Sequence, residues 1–267
     1  MKIRLLWLLL AALVQTISYA QSKTYVLVHG GWHGAWCWKK VIPRLEATGN
    51  RVVAIDLPGH GEDKTSPATV TLDEYTKQIV QTANAQTGPV ILVGHSMAGV
   101  VIAQAAEVLG KEKVAKLVFL DAFMPKNGES VLALAAKAEA LNKAAGKPAP
   151  GPSLSQCLLL ADDKKTAVVD PDRVGQLFYH DCRADDVAYA KAHVSPQPLA
   201  CLGTPVQVTD ARYGAIPKVY ILCTQAKDLD KRSIAKNVPI QKMYTLASSH
   251  SPFFSMPEKL VAILQTL

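Results

Sequence analysis

No stretch limits what this chain can fold into more than Pro89-Val90-Ile91-Leu92-Val93-Gly94-His95-Ser96-Met97-Ala98-Gly99. Apolar residues, mostly β-branched, run from Val90 to Val93 and read as a strand buried on both faces, the kind that parallel sheets contain. A helical pattern of Val100, Val101, Ile102, Ala105, Ala106 and Leu109 follows at once, so the turn between strand and helix must be very tight. Small residues at 94, 98 and 99 let the backbone fold back and bring helix and strand close together. Such a turn holds its middle side chain, Ser96, at the carboxyl edge of the sheet, over the positive end of the helix. A serine that merely capped the helix would fit the same pieces. The strict spacing Gly-x-Ser-x-Gly is missed by one residue, because Ala98 takes the last place and Gly99 follows it. To act as a nucleophile, Ser96 needs a base, an acid and an oxyanion-binding loop elsewhere in the chain.

Strands and helices alternate around this segment. Residues 25–28 read as a buried strand that runs into the glycine-rich turn His29-Gly30-Gly31-Trp32-His33-Gly34. A helix is expected over 36–48, a strand over 51–56, and a helix from Thr71 to about Asn84 opened by a capping box of Thr71 and Glu74. Further strands are expected at 116–120, 218–224 and 241–246, and a closing helix from Pro257 has proline in its first turn. This alternation predicts a doubly wound, mostly parallel α/β sheet, whose sites form at the carboxyl ends of strands. The glycine turn, Ser96 and Asp121 all fall there. Between 123 and 214 the rhythm breaks into helical pieces, which reads as a helical cap inserted into a core of 21–122 and 215–267.

The first twenty residues differ from the rest. Lys2 and Arg4 precede an apolar run from Leu5 to Val14, and Ser18-Tyr19-Ala20 follows, so 1–20 reads as a signal peptide cut after Ala20 and the protein as exported, periplasmic or secreted. The run is short for a bilayer span, which argues against a stable membrane anchor. The formal charge of +7 falls to +5 without Lys2 and Arg4 and is scattered, with no basic stripe suited to nucleic acid. The cysteines at 37, 157, 182, 201 and 223 fit no zinc spacing, and Cys157, Cys182 and Cys201 are placed to supply a disulfide.

His250, in Ser248-Ser249-His250-Ser251-Pro252-Phe253-Phe254 after the last expected strand, is the best base. The late position of that histidine, after nucleophile and acid, matches the chain order expected for this type of sheet. At this point the chain resembles the α/β-hydrolase superfamily, and within it the branch of plant methylesterases, hydroxynitrile lyases and bacterial carboxylesterases. The likeness rests on residues 26–36, 94–99, 118–125 and 220–224 and the segment around His250. It implies Ser96 as nucleophile, His250 as base and the Gly31 and Met97 amides as the oxyanion hole. The branch usually carries its acid two residues after Cys-Thr, where this chain has Ala226. We take Asp121 as the acid, with Asp228 as the alternative. Trp32, Phe123 and Phe253 are candidates for an apolar substrate pocket. Hydroxynitrile lyases of the branch have threonine where this chain has Gly30 and lysine where it has Ser251. The expected activity is that of a serine carboxylesterase acting on small to medium carboxylic esters, with no metal or cofactor. Hydroxynitrile lyase-like activity, or a catalytically weak binding member of the fold, is the alternative.

Overall fold

The computed structural model describes residues 22–267, and the expected signal peptide lies outside the described residues. The core begins with β1 (Thr24–Val28), α1 (Ile42–Glu46), β2 (Arg51–Ile55) and α2 (Leu72–Asn84). It continues through β3 (Val90–His95), α3 (Ala98–Leu109) and β4 (Val114–Leu120). An insertion carries α4 (Val131–Ala144), β5 (Leu158–Leu160), β6 (Thr166–Val169), α5 (Pro171–Phe178), α6 (Ala184–His193), β7 (Gln197–Pro198) and α7 (Leu199–Gly203). The core resumes with β8 (Lys218–Cys223), β9 (Lys242–Leu246), α8 (Pro252–Ser255) and α9 (Pro257–Gln265).

The core strands form one six-stranded sheet in the order β2-β1-β3-β4-β8-β9, every pairing parallel. Successive side chains of a strand point to opposite faces, and here both faces are covered. Val26, Val28, Leu92 and Phe119 join α2 and α3 in one apolar cluster. Tyr25, Leu27, Ile91, Val93 and Leu120 join Trp38, Leu45 and α9 in the other. The inner strands β1, β3 and β8 are buried almost throughout, whereas the edge strands β2 and β9 keep exposed residues.

Local chemistry sets the element ends. Thr71 Oγ1 accepts from the Glu74 amide while the Glu74 carboxylate accepts from the Thr71 amide, completing the capping box at the start of α2. The helix expected over 36–48 is divided into a 3-10 turn, Ala35–Trp38, and α1, which begins beside Pro43. Proline has no amide to continue the first helix, but it fits the first turn of a second.

The insertion is not purely helical as expected. Residues of β5, β6 and β7 form a small antiparallel sheet, with short strands of mostly apolar residues between the helices. The expected disulfide is not formed, and all five cysteines are free thiols. Packing sets Cys201, in the cluster on the α3 side of the sheet, apart from Cys157 and Cys182, which both pack on the α9 side. No helix among the described residues is long and apolar enough to cross a membrane.

Candidate active site

The turn between β3 and α3 is pinned on every side. Ser96 has φ 55°, a left-handed conformation that costs a non-glycine residue of order 1–3 kcal/mol. Its amide donates to the Leu120 carbonyl at 3.2 Å, and its own carbonyl accepts from Phe123 at 3.0 Å and Gly99 at 3.1 Å. Both flanking glycines are required by close approach. A Cβ on Gly94 would lie 2.8 Å from the Ala98 carbonyl oxygen, and one on Gly99 would lie 2.2 Å from the Phe123 carbonyl oxygen. The tight contact with the loop after β4 falls at 99, which explains why glycine stands there rather than at 98.

His250 lies in the loop after β9, with only 1% of its surface exposed. Its backbone carbonyl accepts from His95 Nε2 at 2.9 Å, so the residue preceding Ser96 holds the loop that carries His250. The His250 ring donates from Nδ1 to Asp121 Oδ2 at 2.7 Å, which leaves Nε2 as the basic nitrogen. Asp121, at the end of β4, is fully buried with φ 44° and accepts at its other oxygen from the Cys223 amide at 3.1 Å. Burial opposes its ionisation, but Lys231 and His250 outweigh burial and hold its carboxyl below the usual range. Asp228 Oδ1 stands 3.6 Å from His250 Nδ1, beyond hydrogen-bonding distance.

Lys231 was not expected from the sequence. Its side chain is completely buried, and its ammonium donates to Asp228 at 2.5 Å and to Asp121 at 3.0 Å. The same nitrogen is 3.4 Å from His250 Nδ1, where two donors face each other across the Asp121 carboxylate. Burial disfavours the charge on Lys231, but the two aspartates overcome it and raise its pKa. Asp121, Asp228 and His250 also bring potential metal-ligand atoms within 4.8 Å of one another, and the Lys231 ammonium already sits between the carboxylates of that group.

The glycine turn after β1 is held by its histidines. His33 donates from Nδ1 to the Gly31 carbonyl at 2.7 Å and accepts at Nε2 from the Tyr179 hydroxyl at 2.5 Å. His29 donates to the Gly30 carbonyl at 2.8 Å and accepts from the Leu57 amide at 3.1 Å. Both rings stay neutral because burial lowers their pKa, to about 4 for His29 and about 3 for His33. The Gly31 and Met97 amides donate to no protein group among the described residues. A Cβ at Gly30 would fall 2.7 Å from His95 Nδ1 and 2.8 Å from the Ser96 Cβ.

Residues 25–263 match the alpha/beta hydrolase family. The chain belongs to that family. It is 34% identical over 259 residues to a putative chloroplastic methylesterase 13 of Arabidopsis thaliana, covering 93% of this chain and 56% of that protein. It therefore spans little more than half the length of that relative. With methylesterase 7 of the same plant it shares 30% identity over 262 residues, covering 91% of this chain and 95% of the other. A crystal structure of an Arabidopsis methylesterase, MES16, superposes with a TM-score of 0.75 at 25% identity, over 91% of this chain and 98% of that one.

The structure of this α/β-hydrolase distributes the remaining candidates unevenly. Trp32, with φ 66°, is tied to the insertion through its amide, its carbonyl and its ring, which bond Gln197, Ser195 and the Ala167 carbonyl at 3.3, 2.9 and 3.0 Å. Phe123 follows Asp121 and lies with its ring 5.9 Å from the Lys231 ammonium. Phe253 does not fit the pocket role expected of it. It has no exposed surface, and its ring packs against His95 at 5.0 Å and Trp38 at 5.4 Å as support beneath the histidines. Phe178, from the insertion, stacks on Trp32 at 6.0 Å and packs 5.5 Å from His250. It lay in a segment whose placement the sequence pattern did not specify.

Proposed function

We propose that this hydrolase is a serine carboxylesterase that cleaves small to medium carboxylic esters through an acyl-enzyme intermediate. The observation that carries the reading is the 2.7 Å contact from His250 Nδ1 to Asp121, in a loop held by His95, the residue next to the strained Ser96. Ser96 Oγ attacks the ester carbonyl carbon, and its proton passes to His250 Nε2. The tetrahedral oxyanion is met by the Gly31 and Met97 amides, each donor contributing about 2.7–4 kcal/mol. As the carbon–oxygen bond to the alcohol breaks, His250 returns the proton to the leaving oxygen. A water molecule, deprotonated by His250, then attacks the acyl carbon and releases the carboxylic acid and Ser96. Asp121 holds the ring in the tautomer with a free Nε2 and stabilises the imidazolium as it forms.

Two features favour hydrolysis over hydroxynitrile cleavage. Any side chain at Gly30, where lyases of the branch carry threonine, would displace His95 or Ser96. Ser251 stands where those lyases have lysine, and the lysine present, Lys231, lies on the Nδ1 side of the ring, behind the base. The relatives named methylesterases favour esters with a small alcohol portion. The charged and apolar pattern of residues 1–20 supports export of the protein. Hydrolysis of p-nitrophenyl acetate and of a simple methyl ester by wild type and Ser96→Ala tests the proposal. Wild-type turnover should exceed that of Ser96→Ala by at least about 10³-fold, and equal rates would end the serine esterase reading.

A further inference from the structure

Two buried carboxylates flank one face of the proposed base, where a single orienting aspartate is the simpler arrangement. Asp121 is hydrogen-bonded to His250 and Asp228 stands 3.6 Å from the same nitrogen. The Lys231 ammonium bridges them, and none of its side chain reaches solvent. With both aspartates ionised and Lys231 protonated, the cluster presents one net negative charge to the ring. The other titratable rings facing His250 are His95, whose centroid is 4.4 Å away, and His33, and burial keeps both neutral. Asp228 Oδ1 has no hydrogen-bond partner, so nothing but its distance and its ion pair with Lys231 keeps it from His250.

We propose that Lys231 is a positioning residue for the base: by cancelling Asp228 and holding Asp121, it selects Asp121 as the sole partner of His250 and sets the charge that the imidazole experiences. This inference rests on the esterase reading and adds a residue to it. In this arrangement the alternative acid, Asp228, is retained two residues after Ala226, but its field is neutralised by Lys231. A lysine that only filled space or tied down the loop would not have this effect on the proton balance of the site.

The test is the pH profile of kcat/KM for wild type, Lys231→Met, Asp228→Asn and the Lys231→Met/Asp228→Asn double variant. Lys231→Met leaves two uncompensated carboxylates beside the imidazole, and its acid limb should move up by roughly 1 pH unit. Asp228→Asn should move the limb down, because the ammonium then has only Asp121 to balance it. The double variant restores one net negative charge and should return the limb close to its wild-type position, recovering most of the kcat lost in Lys231→Met with little change in KM. Limbs that coincide in all variants, or a double variant as impaired as Lys231→Met, would overturn the proposal. Should Lys231→Met fail to fold, Asp228→Asn alone decides, and an unmoved limb refutes it. Proton NMR in a Ser96→Ala background gives a readout free of activity: the low-field His250 Nδ1–H signal should be broadened by Lys231→Met and restored in the double variant. Absence of Ser96-dependent turnover in wild type would refute the esterase reading, whereas an NMR signal indifferent to Lys231 would refute this inference.

Discussion

Trp32, Ser96 and Asp121 are non-glycine residues with φ between 44° and 66°, and all three lie at the candidate site. Such strain persists only where the surroundings over-determine it. At Asp121, the amide donates to Ile221 at 2.7 Å and the carboxylate is fixed by His250, Lys231 and Cys223. Asp121→Asn should therefore lower kcat by about 10³–10⁴, since the amide cannot hold the imidazole tautomer or stabilise its charge. Asp228→Asn should cost less than about tenfold at the pH optimum, because its partner is Lys231. Steady-state kinetics of the two variants decides, and the reverse ranking would place the acid at Asp228. The positions of Ser96 and His250 and the His250–Asp121 contact were legible because these residues stand at strand ends in a recognisable order. Lys231 was not, because Asp228, Asp230, Lys231 and Arg232 read as a solvated charge run. Only the structure shows that Arg232 and Asp230 remain near the surface while Lys231 turns inward.

The strand, turn and helix around Ser96 depend on how near α3 comes to the loop after β4. Because a Cβ on Gly99 would lie 2.2 Å from the Phe123 carbonyl oxygen, Gly99→Ala should destabilise the protein by about 1–3 kcal/mol and displace the Phe123 segment. Chemical denaturation measures the loss, and an unchanged midpoint would show that the approach is looser than described. Element types were readable where the pattern was long and repeated, as in α2 with its capping box and in the buried parallel strands. They were less readable where a single residue broke the rule, as Pro43 does between the 3-10 turn and α1. The three short strands of the insertion were missed because segments of two to four residues carry no period.

Across the whole molecule, His29, His33, His60 and His95 are buried and uncharged in the folded state, with burial the main cause of their lowered pKa values. The unfolded chain protonates these rings near 6.5, whereas the folded chain resists protonation down to about 4 at His29 and about 3 at His33. The unfolded state therefore binds more protons in that window, and stability present above 6.5 is lost as pH falls toward 3–4. Each such ring contributes up to about 1.4 kcal/mol of loss per pH unit. Urea unfolding at pH 7 and pH 5 should show a clear drop in midpoint, and a flat profile would contradict the neutral assignment. Trp32 adds a consequence of another kind. The loop proposed to meet the oxyanion takes its shape partly from Gln197, Ser195 and Ala167, which belong to the insertion. On the proposed esterase reading, substrate range and catalytic rate are therefore coupled traits: a change that reshapes the insertion around Gln197 and Ser195 also shifts the loop that carries Trp32 and the Gly31 amide.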